Sequence, residues 1–387
     1  MRKMLIAGIT ALALPSATLA QTCGADAFTN PAAVSGVFGS GAVTVAVVGD
    51  IMVHRAVQRD AATNGYAKHY ASVASFLRRA DLTIGNLETP VAQNILPGGR
   101  ETTSPPRGVF DDRVYSGFPT FNAHPSLVRA LKGAGFDVLQ TANNHALDRG
   151  PAGADRTLAA IRAQGLAATG TRSRAEPSAP WATLTRAGGK RIAVLACTFS
   201  VNGLPDPKRQ ALRCFSQQAE VLATIAALAQ SSSVDAVLFT PHWGIEYSHA
   251  PTTQQRRLAR AALDAGAAAV IGAHPHVLQP IEAYTTRDGR PGFIAYSMGN
   301  FISSQWSVPR RNSAILYFDL VRSGGQLVAR APRYLPTRVM PYRTGGWRIM
   351  PTEATPDGAA GLAHVTRILG AAGRLGLRDL GARAACN

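Results

Sequence analysis

Histidine, carboxylate and amide side chains recur directly after short apolar runs of this sequence. The stretch VIGAHPH (270–276) ends in two histidines separated by one proline, and five other apolar runs end in a similar cluster of polar residues. Two carboxylates, one amide oxygen and three imidazoles make a mixed nitrogen and oxygen ligand set, which suits Mn, Fe or Zn better than Mg or Ca. The predicted metal ligands are Asp50, Glu88, Asn144, His242, His274 and His276.

Six ligands exceed the four that a tetrahedral ion uses, so we expect one or two divalent transition-metal ions. In a two-ion centre a carboxylate bridges the ions, and bound water becomes acidic enough to attack a phosphoryl or carbonyl group. Pro275 would hold the two flanking imidazoles rigid, so that each reaches a different ion. Histidines without such company are expected to be ordinary polar residues: His54, His69, His124, His249 and His364.

His145 directly follows one predicted ligand and is the candidate catalytic residue. It can donate a proton to a leaving group or stabilise an oxygen in the transition state. The alternative role is to support the metal ligands. Asp148 is expected to cap the helix that begins near Pro151, and its alternative role is to orient His145.

Five further residues are predicted to bind substrate. Asn86 and Asn300 can offer side-chain amides, although turns at strand ends also favour asparagine. The irregular stretch 96–123 is rich in proline and glycine, and loops of this length in a compact domain are usually functional. Its arginines, Arg100, Arg107 and Arg113, would meet an anionic substrate. The alternative interpretation of this stretch is a solvated surface loop.

The elements that position these residues follow an α/β pattern. Short β-branched runs alternate with helical patterns at 124–136, 153–166, 217–230 and 253–267. In open α/β sheets, ligands bind outside the carboxyl ends of the strands, where the polar clusters lie. The pattern alone predicts one open, largely parallel sheet. After residue 312 it indicates antiparallel strands and a final helix near 359–373.

The beginning of the sequence predicts export. Residues 1–20 combine Arg2 and Lys3 with an apolar run and small residues, which is typical of a signal peptide cleaved after Ala20. A retained membrane anchor is the alternative, and none is expected after cleavage. The predicted organisation is an N-terminal segment (21–42), a main domain (43–312) and a C-terminal extension of that domain (313–387). The protein is then periplasmic or secreted.

The net charge restricts the classes of partner, and the cysteines of an exported chain are expected to form disulfides. The formal net charge of +17 favours an anionic polymer or a phosphoester, although it can also reflect arginine-rich composition. Nucleic acid is not expected, because no basic run is interleaved with aromatic residues. The four cysteines of an exported chain are expected to pair, and we predict the disulfides Cys197–Cys214 and Cys23–Cys386.

The ordered motifs resemble a known family. GDIM, GNLETPV, ANNHALDRG, HWGIEY, GAHPHVLQPIE and YSMGNF, between about residues 43 and 302, are similar to the CapA-type poly-γ-glutamate capsule-synthesis proteins. The resemblance implies a metallophosphatase-like α/β fold, a β-sandwich flanked by helices in four layers. This replaces the single open sheet, and a β-rich C-terminal extension completes the fold.

A more remote similarity, to calcineurin-like phosphoesterases, implies two metal sites. The second site would use Glu88, Asn144, His242 and His274. The first would use Asp50, Glu88 and His276, and Met52 stands where that family has a further histidine ligand. The first site is therefore short of one nitrogen ligand. One tightly bound ion, or an unlike pair, is expected.

The expected function is that of an exported, metal-dependent hydrolase of the phosphoesterase type. It would act in the biosynthesis or processing of a capsule or envelope polymer such as poly-γ-glutamate, together with the machinery that makes the polymer. The alternative is a non-catalytic protein that binds or anchors an anionic polymer through a degenerate metal site.

Overall fold

The computed structural model describes residues 41–341 and 346–381 of the chain. The expected signal peptide, nearly all of the N-terminal segment and the predicted Cys23–Cys386 pair lie outside the described residues. Within them, none of the helices has the length and apolar character needed to cross a membrane.

The described residues form fourteen strands and eight α-helices. The strands are β1 (Val43–Ile51), β2 (Leu82–Leu87), β3 (Val138–Gln140), β4 (Ala167–Thr169), β5 (Thr183–Ala187), β6 (Lys190–Thr198), β7 (Ala236–His242), β8 (Ala269–Ile271), β9 (Leu278–Thr285), β10 (Pro291–Met298), β11 (Asn300–Ile302), β12 (Asn312–Ser323), β13 (Gln326–Pro341) and β14 (Trp347–Pro351). The helices are α1 (Arg55–Asn64), α2 (Ala67–Leu77), α3 (Ser126–Ala134), α4 (Gly150–Ala163), α5 (Gln218–Gln230), α6 (Thr253–Asp264), α7 (Val308–Arg311) and α8 (Gly358–Leu369).

The strands are divided between two sheets. The first sheet has the order β14-β13-β12-β1-β2-β3-β4, and β11 also pairs with β1. The strands from β1 to β4 run parallel, whereas β12, β13 and β14 continue the sheet in antiparallel fashion. The second sheet has the order β5-β6-β7-β8-β10-β9, parallel in its centre and antiparallel at both edges. The single open sheet expected from the pattern alone is therefore wrong.

The two sheets pack face to face, and helices cover both outer faces. Alternate residues of β1 show why, because Val45 and Val47 point into the layer between the sheets while Ala46 and Val48 face the helices. Helices α1 to α4 cover the first sheet, and α5 and α6 cover the second. The result is the four-layer sandwich that the family resemblance implied.

Most predicted elements are present, with two additions. The helical patterns correspond to α3, α4, α5, α6 and α8, and the antiparallel strands after residue 312 are β12, β13 and β14. Helices α1 and α2 were not predicted. Helix α1, RAVQRDAATN, buries mainly Val57 and Ala61 on its apolar side. So few apolar residues give a weak periodic signal, and packing against the sheet supplies the rest.

One predicted disulfide lies within the described residues and is confirmed. Cys197, at the end of β6, is bonded to Cys214 in the loop before α5. Both cysteines are fully buried in the layer between the second sheet and its helices. The bond fixes this loop to the end of the strand that precedes it.

Candidate metal centre

The carboxyl ends of parallel strands from both sheets meet at one edge of the sandwich. The first sheet contributes Asp50 within β1, Glu88 after β2 and Asn144 after β3. The second sheet contributes His242 at the end of β7, with His274 and His276 after β8. The structure brings all six predicted ligands together, and each is at least 96% buried. We call this group the metal cluster.

The HPH turn has an unusual backbone. Both His274 (φ 99°) and His276 (φ 59°) lie in the left-handed region, which residues other than glycine rarely adopt. The turn is held by its neighbours: the N–H of His274 donates to Asp50 Oδ1 (3.2 Å), and the N–H of Tyr247 donates to the carbonyl of Pro275 (2.7 Å). Such strained conformations persist where surrounding contacts fix them, and they concentrate at functional sites.

Close backbone packing explains the glycine that precedes Asp50. A Cβ atom on Gly49 would lie 1.8 Å from the carbonyl oxygen of Gly299. The N–H of Asp50 donates to that same carbonyl, at 2.9 Å. Only glycine allows β1 to approach the β10–β11 junction so closely, and this approach sets the position of Asp50.

Asp50 is an ionised carboxylate surrounded by donors. His276 Nδ1 lies 3.0 Å from Oδ2, and Asn86 Nδ2 donates to Oδ1 at 2.8 Å. Burial works to raise the pKa of Asp50, but hydrogen bonds from His276, Asn86 and the His274 backbone outweigh it and hold that pKa below its usual value.

Glu88 has the opposite electrostatic balance. Burial, reinforced by the neighbouring Asp50 carboxylate, raises the pKa of Glu88 well above its usual value. Its Oε1 atom is buried and has no hydrogen-bond partner within the described residues. That atom lies 3.6 Å from His242 Nε2 and 3.8 Å from His276 Nε2. These distances are too long for hydrogen bonds, but they match two atoms that bind one ion at roughly 2.0–2.2 Å.

Two histidines of the cluster, His242 and His274, are held neutral. Burial, together with the nearby imidazoles, lowers the pKa of His242 well below its usual value. Burial and His276 lower the pKa of His274 to about 3. His274 Nδ1 is a second buried atom without a hydrogen-bond partner among the described residues. Neutral imidazole is the form that binds metal, so these residues fit a divalent transition-metal ion.

Two overlapping groups of side chains have the spacing of metal ligands. One contains Asp50, Glu88 and His242, and the other contains Glu88, His274 and His276; within each, the ligand atoms lie within 4.8 Å of one another. Asn144 Oδ1 lies 2.8 Å from His242 Nε2 and extends the first group. Glu88 belongs to both, as expected of a bridging carboxylate, but the histidines are divided differently from the division that the phosphoesterase similarity implied.

Asn86 occupies the centre of the cluster. Its amide Nδ2 faces Asp50 Oδ1 (2.8 Å), His242 Nδ1 (3.1 Å) and Glu88 Oε2 (3.4 Å). Asn143 donates to its Oδ1 at 3.3 Å. Asn86 was predicted to bind substrate, but here its amide is engaged with protein groups, so it positions three of the ligands.

His145 is oriented by Asp148. His145 Nδ1 lies 2.8 Å from Asp148 Oδ2, and the same oxygen accepts the Phe121 N–H at 2.6 Å. Helix α4 has Arg149 as its N-cap residue and no side-chain cap, so the expected capping role of Asp148 is wrong. Within the described residues His145 Nε2 has no hydrogen-bond partner, and this nitrogen can meet a substrate.

The other predicted substrate-binding residues lie outside the cluster. Asn300 is buried, and its Nδ2 donates to Gln305 Oε1 and to the carbonyl of Arg310, both at 3.0 Å. The arginines of the 96–123 loop are exposed: Arg100, Arg107 and Arg113. Arg113 donates within the loop, to the Ser104 carbonyl at 2.7 Å.

Sequence reasoning missed several residues that complete the site. Asn143 donates to the Leu87 carbonyl (2.8 Å) and accepts the His145 N–H (3.2 Å), so it connects the ends of β2 and β3. The ring of Phe199 lies 4.4 Å from that of His274 and covers one side of the cluster. The adjacent asparagines of ANNH were the only signal for Asn143, and the motifs gave none for Phe199.

A cleft of about 990 Å³ lies beside His54 and is separated from His145 by the rings of His54 and Phe121. It is lined by Arg55 and Arg59 of α1, by the largely exposed rings of Phe118 and Trp306, and by His54. The His54 ring lies 5.2 Å from Phe121, whose ring is 4.7 Å from His145. Burial lowers the pKa of His54 to about 4, so His54 forms a neutral wall between cleft and site. The cleft also contains the carboxylate of Asp60, and its Arg55 pairs with Asp112.

Fold and site together define the class of the protein: a four-layer α/β sandwich with a buried histidine and carboxylate cluster at its strand ends. The profile of the family described as "Bacterial capsule synthesis protein PGA_cap" matches residues 44–305. The chain belongs to this family.

Individual relatives support the same family membership. The chain is 30% identical over 285 residues to "PGA biosynthesis protein CapA" of Bacillus subtilis (strain 168), covering 73% of this chain and 69% of the relative. It is 30% identical over 294 residues to "Capsule biosynthesis protein CapA" of Bacillus anthracis, covering 75% and 67%. Among solved structures, the calcineurin-like phosphoesterase YfkN from Bacillus subtilis is similar with a TM-score of 0.41 and 11% identity, covering 84% of this chain and 99% of that one.

Proposed function

We propose that the protein is an exported, metal-dependent hydrolase of the phosphoesterase type that acts on an anionic envelope polymer. The observation that carries this proposal is that two atoms of the metal cluster, Glu88 Oε1 and His274 Nδ1, are among the buried atoms without a hydrogen-bond partner within the described residues. Both belong to groups of side chains with the spacing of metal ligands. An unpartnered buried polar atom costs about 1–3 kcal/mol, and a bound Mn, Fe or Zn ion would remove that cost.

The chain supplies candidate groups for each step of hydrolysis. Asp50, Glu88, Asn144 and the three cluster histidines would hold one or two ions, which supply an acidic bound water and polarise the scissile group. The Asn86 amide positions these ligands through its contacts at the centre of the cluster. His145, oriented by Asp148, presents Nε2 toward a leaving group and can transfer a proton there.

Charge and shape support an anionic polymer as substrate. The formal net charge of the chain is +17. The cleft beside His54 is large enough for several residues of a polymer, and it contains Arg59 as well as the carboxylate of Asp60. The named relatives carry the words PGA biosynthesis and capsule biosynthesis. A poly-γ-glutamate-like chain is therefore the substrate class that we propose, and envelope polymer-synthesis machinery is the proposed partner.

Metal analysis and hydrolysis assays on the same preparations test this function. The protein is purified without chelator, its metal content is measured, and turnover of bis(p-nitrophenyl) phosphate, p-nitrophenyl phosphate and γ-linked polyglutamate is followed with Mn or Zn. His242→Ala is expected to lose most bound metal and at least ~100-fold in turnover. His364→Ala, on the distant helix α8, is the matched control and should behave as wild type.

Each outcome separates the proposal from the alternative. Loss of metal and turnover in His242→Ala but not in His364→Ala supports hydrolysis. Wild-type protein that binds γ-linked polyglutamate in a salt-sensitive manner but hydrolyses none of the probes would instead indicate a polymer-binding protein with a degenerate site. Protein that retains no metal after chelator-free purification and reloading contradicts the proposal.

A further inference from the structure

We propose that Arg310 is the residue that recognises a charged group of the substrate next to the bond held at the metal cluster. The inference rests on the proposed function, because it names the substrate contact of the same site. Arg310 lies in α7, outside the motifs and outside the part of the chain that the family profile matches. Two contacts fix its position relative to the metal cluster, and its lack of an ion-pair partner is a third observation.

The first contact joins Arg310 to the HPH turn through Tyr247. The guanidinium carbon of Arg310 lies 3.5 Å from the centre of the Tyr247 ring, a cation–π stack. The Tyr247 ring is in turn 6.0 Å from the ring of His276, and its N–H donates to the Pro275 carbonyl. One aromatic ring therefore separates the guanidinium from a predicted metal ligand.

The second contact holds the backbone of Arg310. Asn300 Nδ2 donates to the Arg310 carbonyl at 3.0 Å. Asn300 is the partner of Asp50 in the parallel pairing of β1 and β11. The same amide also binds Gln305 Oε1, and Gln305 Nε2 lies 3.5 Å from the Tyr247 hydroxyl. Asn300 thus ties the loop that carries Arg310 to the strand position beside a metal-cluster carboxylate.

The third observation is the charge of Arg310. Fourteen arginine–carboxylate ion pairs are found within the described residues, and Arg310 takes part in none of them. By contrast, Arg55 of the cleft pairs with Asp112 at 2.8 Å. Arg310 stacks on Tyr247 and has no carboxylate oxygen within 4.0 Å among the described residues, although the Tyr247 side chain also contacts the carboxylate of Glu246.

These contacts define the chemistry of the ligand group. A guanidinium held by its flat face presents its N–H edge, which matches the two oxygens of a carboxylate or a phosphate. The substrate therefore carries one anionic group at Arg310 in addition to the group that is cleaved. A chain with a repeating charge meets this requirement, whereas a neutral chain or an isolated monoester does not.

Binding selectivity tests the proposal in metal-loaded, full-length protein. Fluorescence anisotropy measures the Kd for a labelled γ-linked oligoglutamate, for the same oligomer with methyl-esterified carboxylates, and for a polyphosphate of similar length. We expect wild type to bind one of the two anionic probes at least ~10-fold tighter than the esterified oligomer. Arg310→Met should lose most of that preference, because methionine cannot donate hydrogen bonds to the anionic oxygens.

Two further variants and one control sharpen the result. Arg310→Lys keeps the charge without the planar edge and should restore the preference only in part. Tyr247→Ala removes the stacking ring and should reduce the preference as Arg310→Met does. Arg287→Met is the matched control, because that arginine is 89% exposed on the β9–β10 turn, and it should bind as wild type. The carboxylate and phosphate probes distinguish the two sources of negative charge.

Failure of this inference is distinguishable from failure of the proposed function. Arg310→Met with the wild-type preference overturns the role of Arg310, even where metal content and turnover are normal. A wild-type protein without any preference for either anionic probe overturns it as well. If wild-type protein hydrolyses none of the probes but prefers an anionic probe in a manner that depends on Arg310, only the hydrolytic function is contradicted.

Discussion

Buried polar side chains at the strand ends of this protein are satisfied by groups far away in sequence. Asp50 accepts from Asn86 and from the His274 backbone, 36 and 224 residues away. Side-chain type predicted which residues assemble, because few other residues than Asp, Glu, Asn and His bind metal. It did not predict that Asn86 positions the ligands, and it offered the orienting role of Asp148 only as the alternative to capping, since these roles follow from hydrogen-bond partners that only the folded chain brings near.

A second buried carboxylate shows the same principle away from the metal cluster. Asp60 of α1 accepts hydrogen bonds from His69 Nε2 (2.8 Å), the Trp347 N–H (2.7 Å) and Asn64 Nδ2 (2.7 Å). Burial works to raise the pKa of Asp60, but these hydrogen bonds outweigh it and lower that pKa to about 2, from an ordinary value of 3.8. The ionised carboxylate joins two helices to the start of β14.

Asp60→Asn is expected to reduce the pH dependence of stability in acid. Because the folded pKa lies below the unfolded one, Asp60 stabilises the fold fully above about pH 4, and this contribution is lost as the pH falls toward 2. At pH 6 the variant should lose about 1–3 kcal/mol of unfolding free energy, and the difference from wild type should shrink in acid. Urea unfolding between pH 6 and pH 2 measures it.

The control for this prediction is Asp112→Asn, an exposed carboxylate paired only with Arg55. It should cost less than about 1 kcal/mol, as surface ion pairs usually do. A difference between Asp60→Asn and wild type that stays constant from pH 6 to pH 2 would show that the charge of Asp60 does not stabilise the fold.

At the scale of elements, the sequence predicts strands well and their arrangement poorly. Runs such as VTVAVV and AAAVIGA are buried on both faces in either sheet, so their composition cannot assign them to the first or the second sheet. The partition follows from packing between distant residues, for example Val47 of β1 against the same interior as Leu238 of β7. The family resemblance, not periodicity, supplied the sandwich.

The Cys197–Cys214 bond is the element-scale feature with the clearest energetic consequence. It closes a loop with a sequence separation of 17, and both cysteines are buried behind the second sheet. Cys197→Ala/Cys214→Ala is expected to lower the unfolding free energy by about 3 kcal/mol, because the unfolded chain gains the entropy of the opened loop. Urea unfolding under non-reducing conditions measures the loss.

Unfolding of wild-type protein with and without reductant provides a comparison that involves no substitution. Wild-type protein in dithiothreitol should approach the stability of the double variant, whereas the double variant itself should change much less. Equal midpoints for oxidised wild type and the double variant would show that the bond contributes no stability.

The whole molecule depends on strands beyond the family match. The profile ends at residue 305, yet β12 pairs with β1, and β13 and β14 extend the same sheet. Leu316, Phe318 and Leu320 of β12 are buried between the two sheets. A chain that ends after Arg311 would expose that interior and leave β1 as an open edge.

The truncated chain, residues 41–311, is therefore not expected to fold cooperatively. Compared with the same chain extended to residue 381, it should lack a cooperative thermal transition and retain no stoichiometric metal. Near-ultraviolet circular dichroism during heating, together with metal analysis, provides the measurement. A truncated protein that melts cooperatively and binds metal normally would establish the C-terminal strands as a dispensable addition.

The placement of the metal cluster across both sheets has a consequence for folding. Asp50 and Glu88 come from the first sheet, while the cluster histidines come from the second, so neither sheet alone contains a complete ligand set. The site can form only after the two sheets have docked. The docking contacts join residues that are far apart in sequence, and such contacts form slowly. Stoichiometric metal uptake during refolding would then mark the arrival of the native topology, and partly folded chains would remain apo.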